Sequence, residues 1–427
     1  MATDCREKAY SILRNWKSGS YVFGVDCIGE TGHLTACFGK NVLVVGNTGH
    51  TRDTVEAVLT SLRKENLTIL SDGPIPGARP NSPKEDAYRI AEAIVRFRPD
   101  CVVAIGGGST IDACKAAAVI AVSGQEIDAF FGNGKVSEYL KQTGKTLVPL
   151  VAVQTAASSG SHLTKYANIT DTAAGQKKLI VDTAVVPVRQ LFDYRTSCSM
   201  PPSVTVDGAL DALAHTIESF WGTSEENYGK LMEICTTAVP LVLDFAKRAI
   251  DNPNDIEARE ALGLATDLGG YAIMVGGTSG GHLTSFSLVD CISHGTACGL
   301  MNPYYGVFYS KAIQSQMRIL HGLFREYGFI QDSTKEPEGR ALSTVVAQAM
   351  MDFSASIGAP VKLTDIPSFK QEIHIPRALS AAKDPNLKMK LLNMPVPLST
   401  DNIDPYMGPI LLAACKGDLS KVREMDC

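Results

Sequence analysis

The sequence predicts an α/β domain followed by an all-helical domain, and three observations carry that reading. From position 41 to about 193, short β-rich apolar runs alternate with helical stretches, as in a parallel sheet with covering helices. After about Pro201 the strand signals fade and long segments with helical spacing follow. The 427 residues, 45% hydrophobic and 20% charged, suffice for two or three domains that each bury a core, and are too apolar for a disordered chain. The change of character sets the domains at 1–195 and 196–427, with a cleft between them.

The predicted strands are 42–45, 67–70, 101–105 and 147–153. Between the second and third, Ser82-Pro83-Lys84-Glu85 reads as a helix start, with Ser82 as N-cap, Pro83 at N1 and Glu85 closing a capping box. That helix runs through Ile90, Ala93, Ile94 and Phe97 into the strand at Cys101. In the second half the predicted helices are 204–220, 226–250, 255–275 and 307–327.

Forty basic against 45 acidic residues give a net charge of −5, which argues against a nucleic-acid partner. The first 20 residues hold no apolar h-region, so no secretory signal is expected. The longest apolar run, 116–122 with its neighbours, is far below the roughly 20 residues a membrane span needs. Eleven cysteines without a CxxC read as reduced thiols, most of them in the core, which places the chain in the cytoplasm.

Three turns follow strands. Gly106-Gly107-Gly108-Ser109 lies between a buried strand and a helix from Thr110, where glycines let a backbone approach a ligand and the helix N-terminus suits a pyrophosphate. A lone GGGS is also compatible with a tight turn that holds no ligand, and it is not the GxGxxG fingerprint. The hydroxyl-rich stretch from Gln154 to Ser161 and the turn Gly46-Asn47-Thr48-Gly49 would lie at the same strand ends, where open α/β sheets bind ligands. Together the three favour a nucleotide.

Of eight histidines, His215 lies four residues after Asp211 on one helix face, and His282 and His294 follow in a segment rich in small residues. One carboxylate and three imidazoles suit Zn²⁺ or Fe²⁺ better than Ca²⁺ or Mg²⁺. From spacing alone, a helix-surface pair and two unrelated core histidines remain the simpler account. His33, His50, His321 and His374 have no carboxylate at comparable spacing and read as structural.

At this point the motifs resemble those of the iron-containing (group III) alcohol dehydrogenases, essentially end to end. GGGSTIDACKA resembles the family's GGGSPxDxAKA, and QTAASSGSHLTKYANITD resembles PTTAGTGSExT…ITD. MPPSVTVDGALDALAHTIES resembles LPpxxTaatGxDALxHAIE, and His294-Gly295 resembles the HG of PHG. The segment from Asn393-Met394-Pro395 to Ala414 is similar to the family's closing NPR…A helix.

The resemblance implies a Rossmann-like N-terminal domain, a helical metal-binding C-terminal domain and an active site in the cleft. It puts the metal ligands on Asp211, His215, His282 and His294. It puts the pyrophosphate on Gly106, Gly107, Gly108 and Ser109 with Asp112 behind them, and further cofactor-side positions on Asn47, Thr155, Ser159, Ser161, Thr164 and Lys178. Four departures stand out: Phe286 where a second, non-ligand His usually lies, Gln154 for a Pro, His162 for a Glu, and Asn47 for the Asp that holds the ribose in NAD-dependent members. No side chain is assigned as general acid or base.

The implied activity is metal-dependent, NAD(P)-linked oxidoreduction at a CH–OH group, working as an aldehyde reductase on a small alcohol or aldehyde, with Fe²⁺ or alternatively Zn²⁺. A homodimer or larger homo-oligomer is expected. The alternatives are a polyol- or glycerol-phosphate-type dehydrogenase (or a synthase using NAD transiently) and a non-catalytic nucleotide-binding regulator. The first would need a basic cluster, and 276–299 has no basic side chain except histidine.

Overall fold

The computed structural model describes residues 2–331 and 337–425. They divide into two compact units: an α/β unit of Leu13–Pro201 with Pro253–Gly263, and a helical unit of Met1–Ile12, Pro202–Asn252 and Leu264–Cys427.

The strands are β1 (Tyr21–Gly24), β2 (Asn41–Gly46), β3 (Thr68–Ile69), β4 (Cys101–Gly106), β5 (Gly132–Asn133), β6 (Leu150–Gln154), β7 (Tyr166–Asp171), β8 (Gln176–Val181) and β9 (Arg189–Asp193). Six of them form an all-parallel sheet in the order β1-β9-β6-β4-β2-β3. The apolar runs are unbroken because both faces are covered. In β4, Val102 and Ala104 join one core, while Cys101, Val103 and Ile105 join the other. A second sheet, β5-β8-β7, carries the antiparallel pair β7–β8, which the sequence reading left out.

Register places the three turns side by side. Gly46 is level with Ile105, and Gly106 with Gln154, so β2, β4 and β6 end together. The chain leaves β2 for β3 on one side and returns to β4 on the other. Their carboxyl ends therefore flank a topological switch point.

The helices, in chain order, are α1 (Ala2–Lys17), α2 (Thr31–Ala36), α3 (Arg52–Lys64), α4 (Lys84–Phe97), α5 (Gly108–Ser123), α6 (Lys135–Thr143), α7 (Pro202–Trp221), α8 (Tyr228–Asp251), α9 (Ile256–Val275), α10 (Gly280–Ser285), α11 (His294–Phe308), α12 (Gln314–Glu326), α13 (Gly339–Ser356), α14 (Gln371–Ala382), α15 (Lys388–Leu392) and α16 (Ile403–Lys416). Residues of α4 and α5 cover one face of the parallel sheet and those of α3 the other. Among the described residues no helix is long and apolar enough to cross a membrane, and the ten described cysteines are all free.

Two local expectations fail. The capping box at Ser82 does not form. Ser82 has φ +49°, its hydroxyl donates to the Ser109 carbonyl at 2.8 Å, and α4 starts at Lys84 without a side-chain cap. Tertiary contact with the glycine turn takes the hydroxyl that local pattern assigned to the helix. The predicted helix 307–327 is two helices, α11 and α12, separated at Tyr309–Ile313, where Ala312 N–H bonds back to Tyr309 O at 2.8 Å.

Candidate metal centre and cofactor turns

In the α/β unit, α5 begins at Gly108 with Gly107 as its N-cap, so its first N–H groups project from the end of β4. Thr155 N–H donates to Gly106 O at 3.1 Å and ties the β6 loop to the β4 turn. A Cβ on Gly108 would collide with Ser159 Oγ, so only glycine admits that loop. Asp112 lies buried behind the turn; it accepts from Ser161 Oγ and, at 2.9 Å, from Asn168 N–H.

Two features of this region escaped the sequence reading. Lys115, one turn after Asp112, is fully buried and donates to the carbonyls of Ser161 (2.7 Å), Thr164 (3.0 Å) and Tyr166 (2.6 Å). It pins the loop after β6 to α5. The segment 77–81 also closes on the turn: Ala78 N–H donates to Thr110 Oγ1 (3.2 Å), Asn81 N–H to Ser109 Oγ (3.1 Å), and Asn47 Nδ2 to Ala78 O (3.3 Å). Lys178, by contrast, makes its contacts on β8 of the smaller sheet, where Asp128 (2.9 Å) and Asp171 (3.3 Å) hold its ammonium.

In the helical unit, Asp211 and His215 lie one turn apart on α7, His282 lies on α10, and His294 opens α11. The Nε2 atoms of the three histidines stand 3.5, 3.6 and 3.9 Å from Asp211 Oδ1. These distances are long for hydrogen bonds. Around a dication with bonds of about 2.1 Å, tetrahedral donors lie about 3.4 Å apart, so each histidine's distance to Asp211 suits a pair of ligands on one ion. Asp211, His282 and His294 also lie within 4.8 Å of one another, a group that does not include His215. His215 stacks on His282 with ring centroids 4.7 Å apart.

Glycines allow this convergence. A Cβ on Gly295 would come within 2.7 Å of Asp211 Cβ, and one on Gly281 within 2.7 Å of Glu218 Oε1. The helices can therefore approach closely enough for their histidines to meet.

The imidazoles are oriented from behind. His282 Nδ1 donates to Glu218 Oε1 at 2.8 Å, which leaves Nε2 as the ring nitrogen turned to Asp211. Ser285 Oγ lies 3.0 Å from His294 Nδ1. Glu218 is one turn beyond His215 on α7 and also accepts from Ser279 N–H at 2.7 Å. Burial drives His215 down to about 4 against the opposing pull of Asp211, so its imidazole is neutral, the form that coordinates. Burial pushes the Asp211 carboxyl up, but the facing imidazoles outweigh it and hold it well below the usual carboxylate range. His282 Nε2, though buried, has no hydrogen-bond partner, an arrangement a bound cation would complete.

Residues 18–194 match the family described as "Iron-containing alcohol dehydrogenase", and residues 205–402 match "Fe-containing alcohol dehydrogenase family, C-terminal". The chain belongs to the iron-containing alcohol dehydrogenase family. It is 31% identical over 260 residues to alcohol dehydrogenase 4 of Schizosaccharomyces pombe, which is 59% of this chain and 57% of that one. That match spans little more than half of the relative's length. It is 29% identical over 275 residues to the NAD-dependent methanol dehydrogenase of Bacillus methanolicus, 64% of this chain and 67% of that one. The NADH-dependent butanol dehydrogenase A of Thermotoga maritima superposes with a TM-score of 0.76 at 23% identity, over 92% of this chain and 96% of that chain, a likeness of fold. The Rossmann-like domain and the helical domain are those of this family.

The departures from the family's motifs now have surroundings. His162 is buried in packing, with Nε2 3.1 Å from Tyr21 Oη and its ring edge-on to Phe192. Gln154 folds back to donate to Ala156 O at 2.6 Å. Phe286 is buried with its ring stacked near His294, centroids 6.0 Å apart. Lys390 brings its ammonium 5.6 Å from that ring and donates to Thr278 Oγ1. A basic group thus reaches the neighbourhood of 276–299 from a distant helix. His374, read as structural, has Asp290 Oδ1 3.4 Å from its Nε2, and Arg377 binds the same carboxylate.

Proposed function

We propose that the chain is a metal-dependent, NAD(P)-linked alcohol dehydrogenase working as an aldehyde reductase on a small alcohol or aldehyde. The carrying observation is the convergence of three imidazole nitrogens, those of buried His215 and His282 and of partly buried His294, on one carboxylate oxygen, at ligand spacing rather than hydrogen-bond spacing. Asp211, His215, His282 and His294 would hold the ion, Fe²⁺ by the family's name and Zn²⁺ as the alternative. Such an ion would supply Lewis acidity at a substrate oxygen, and a bound nicotinamide would supply the hydride chemistry.

The chain's own residues do the positioning. Gly106, Gly107, Gly108 and Ser109 present N–H groups to a pyrophosphate, with Thr155, Ser159, Ser161 and Thr164 on the adjoining loop and Asp112 and Lys115 bracing it from behind. Asn47 is read as the ribose-side residue, and Lys178 as a further cofactor-side position despite its carboxylate partners. Glu218 keeps His282 in the coordinating tautomer, and Phe286 makes its side of the pocket apolar. The similarity to an NAD-dependent methanol dehydrogenase supports the nicotinamide. Free cysteines support a reducing, cytoplasmic setting, and a homo-oligomer completes the reading.

The test is metal analysis together with NAD(P)H oxidation over an aldehyde panel, with Fe²⁺ or Zn²⁺ added. Asp211→Ala and His282→Ala should each lose bound metal and activity while keeping the fold and cofactor binding. Metal contents equal to the parent would break the ligand assignment. No turnover by the metal-loaded parent on any aldehyde would favour a nucleotide-binding regulator instead.

A further inference from the structure

Cys298 lies one helical turn after His294 on α11, so both side chains leave the same helix face. It is fully buried. A donor atom from each of Asp211, His282, His294 and Cys298 can be chosen so that all four lie within 4.8 Å of one another. The thiols of Cys27, Cys37, Cys101 and Cys291 donate to backbone carbonyls. That of Cys298 faces the histidines instead, and His282 Nε2, nine-tenths buried and without a hydrogen-bond partner, is aimed at the same point.

We propose that the Cys298 sulfur is a ligand of the metal, giving the centre a thiolate beside the Asp211 carboxylate and the imidazoles. The inference rests on the metal reading above and extends it. On binding, the metal–sulfur bond replaces the S–H bond and the proton leaves to solvent. Thiolate and carboxylate together balance the charge of a dication. A soft donor also shifts preference towards Zn²⁺ and away from hard, oxygen-seeking ions.

X-ray absorption at the zinc edge of the zinc-loaded full-length protein tests this directly. The parent should show a sulfur scatterer at about 2.3 Å beside nitrogen and oxygen at about 2.0–2.1 Å. Cys298→Ser and Cys298→Ala should lose that sulfur shell. The cobalt-loaded parent should show a thiolate-to-cobalt charge-transfer band in the near ultraviolet, absent in both variants. Stoichiometric zinc with only nitrogen and oxygen neighbours in the parent would overturn the thiolate and leave the carboxylate–imidazole centre standing. A sulfur shell that persists in both variants would likewise overturn it, because another cysteine would be the source. Failure of the parent to bind stoichiometric metal would remove the metal reading and the thiolate together. The parent spectra decide the matter even if the variants fold poorly.

Discussion

Glu218 and His282 are joined by a hydrogen bond of 2.8 Å between Oε1 and Nδ1, buried in the helical unit. Burial alone would raise the Glu218 carboxyl, but His282 and the Ser279 N–H hold it below its usual value, so it stays an anion behind the imidazole. A carboxylate there fixes the tautomer and raises the basicity of Nε2. Glu218→Gln keeps an acceptor but removes the charge, so metal affinity should fall by roughly 10-fold, and Glu218→Ala by up to about 100-fold. Chelator competition on the purified proteins measures both. Unchanged affinity in both variants would show that Glu218 only packs.

Phe286→His restores the imidazole that the family usually carries. The ring neighbours His294, 6.0 Å away, and the Lys390 ammonium, 5.6 Å away. Burial brings Lys390 down to about 8, so it is charged below that pH. Burial and a neighbouring cation both disfavour a second charge, and the new histidine should titrate below the unperturbed value of about 6.5. The pH profile of kcat should gain an inflection on the acid side of that value while the protein stays folded. Superimposable parent and variant curves would exclude the position from proton transfer.

Periodicity and turn chemistry are enough to read four strands of the parallel sheet, β2, β3, β4 and β6, because its cores depend on runs such as Val42 to Val45 whose signal is local. The same holds for Asp211 and His215, four residues apart on one helix. The short strands β1 and β9 are not read from the sequence. Lys390 and Cys298 were not legible. Lys390 meets Thr278 across 112 positions of sequence, and no pattern near either residue announces the pairing. Cys298 resembles any other small buried residue of an apolar helix until α7, α10 and α11 are packed. The hairpin β7–β8 escaped because its Lys177, Lys178 and Asn168 interrupt the apolar alternation that marks a strand. Nothing in residues 2–12 says which unit they join.

Asp86 secures the segment before the glycine turn. Its carboxylate accepts from Arg79 N–H at 2.9 Å and Arg79 Nε at 3.0 Å. Burial pushes the carboxyl up, but these bonds outweigh it and hold it below its usual value. Between the folded value and the unfolded value of about 3.9, the unfolded chain binds more protons. Stability from Asp86 is therefore complete above about pH 4 and lost as the pH falls through the folded value. Arg79 is exposed and re-solvates when the carboxylate is removed, so Asp86→Ala should cost only about 1 kcal/mol at pH 7, the net worth of an ordinary hydrogen bond. Urea midpoints at pH 7 and in acid should show the gap between parent and variant closing below about pH 4. A gap independent of pH would assign the effect to packing alone.

Asn47 follows the last residue of β2, at the strand end where a carboxylate would accept from ribose hydroxyls and repel a 2′-phosphate. Its amide keeps hydrogen-bonding capacity without charge and is presently turned to Ala78 O at 3.3 Å. Arg52, the first residue of α3, is exposed five positions on, and nothing acidic replaces the missing carboxylate among Thr48, Gly49, His50 and Thr51. With no carboxylate at position 47 to repel a 2′-phosphate, NADP(H) should be used at least as well as NAD(H). Asn47→Asp should reverse this. Two unit charges 4 Å apart in water interact by about 1 kcal/mol, so the ratio of kcat/KM for NAD to that for NADP should rise roughly fivefold or more. Measuring kcat/KM for both cofactors in both proteins decides the point. A strong NAD preference in the parent, unaltered by the substitution, would show that cofactor choice is made elsewhere in the α/β unit.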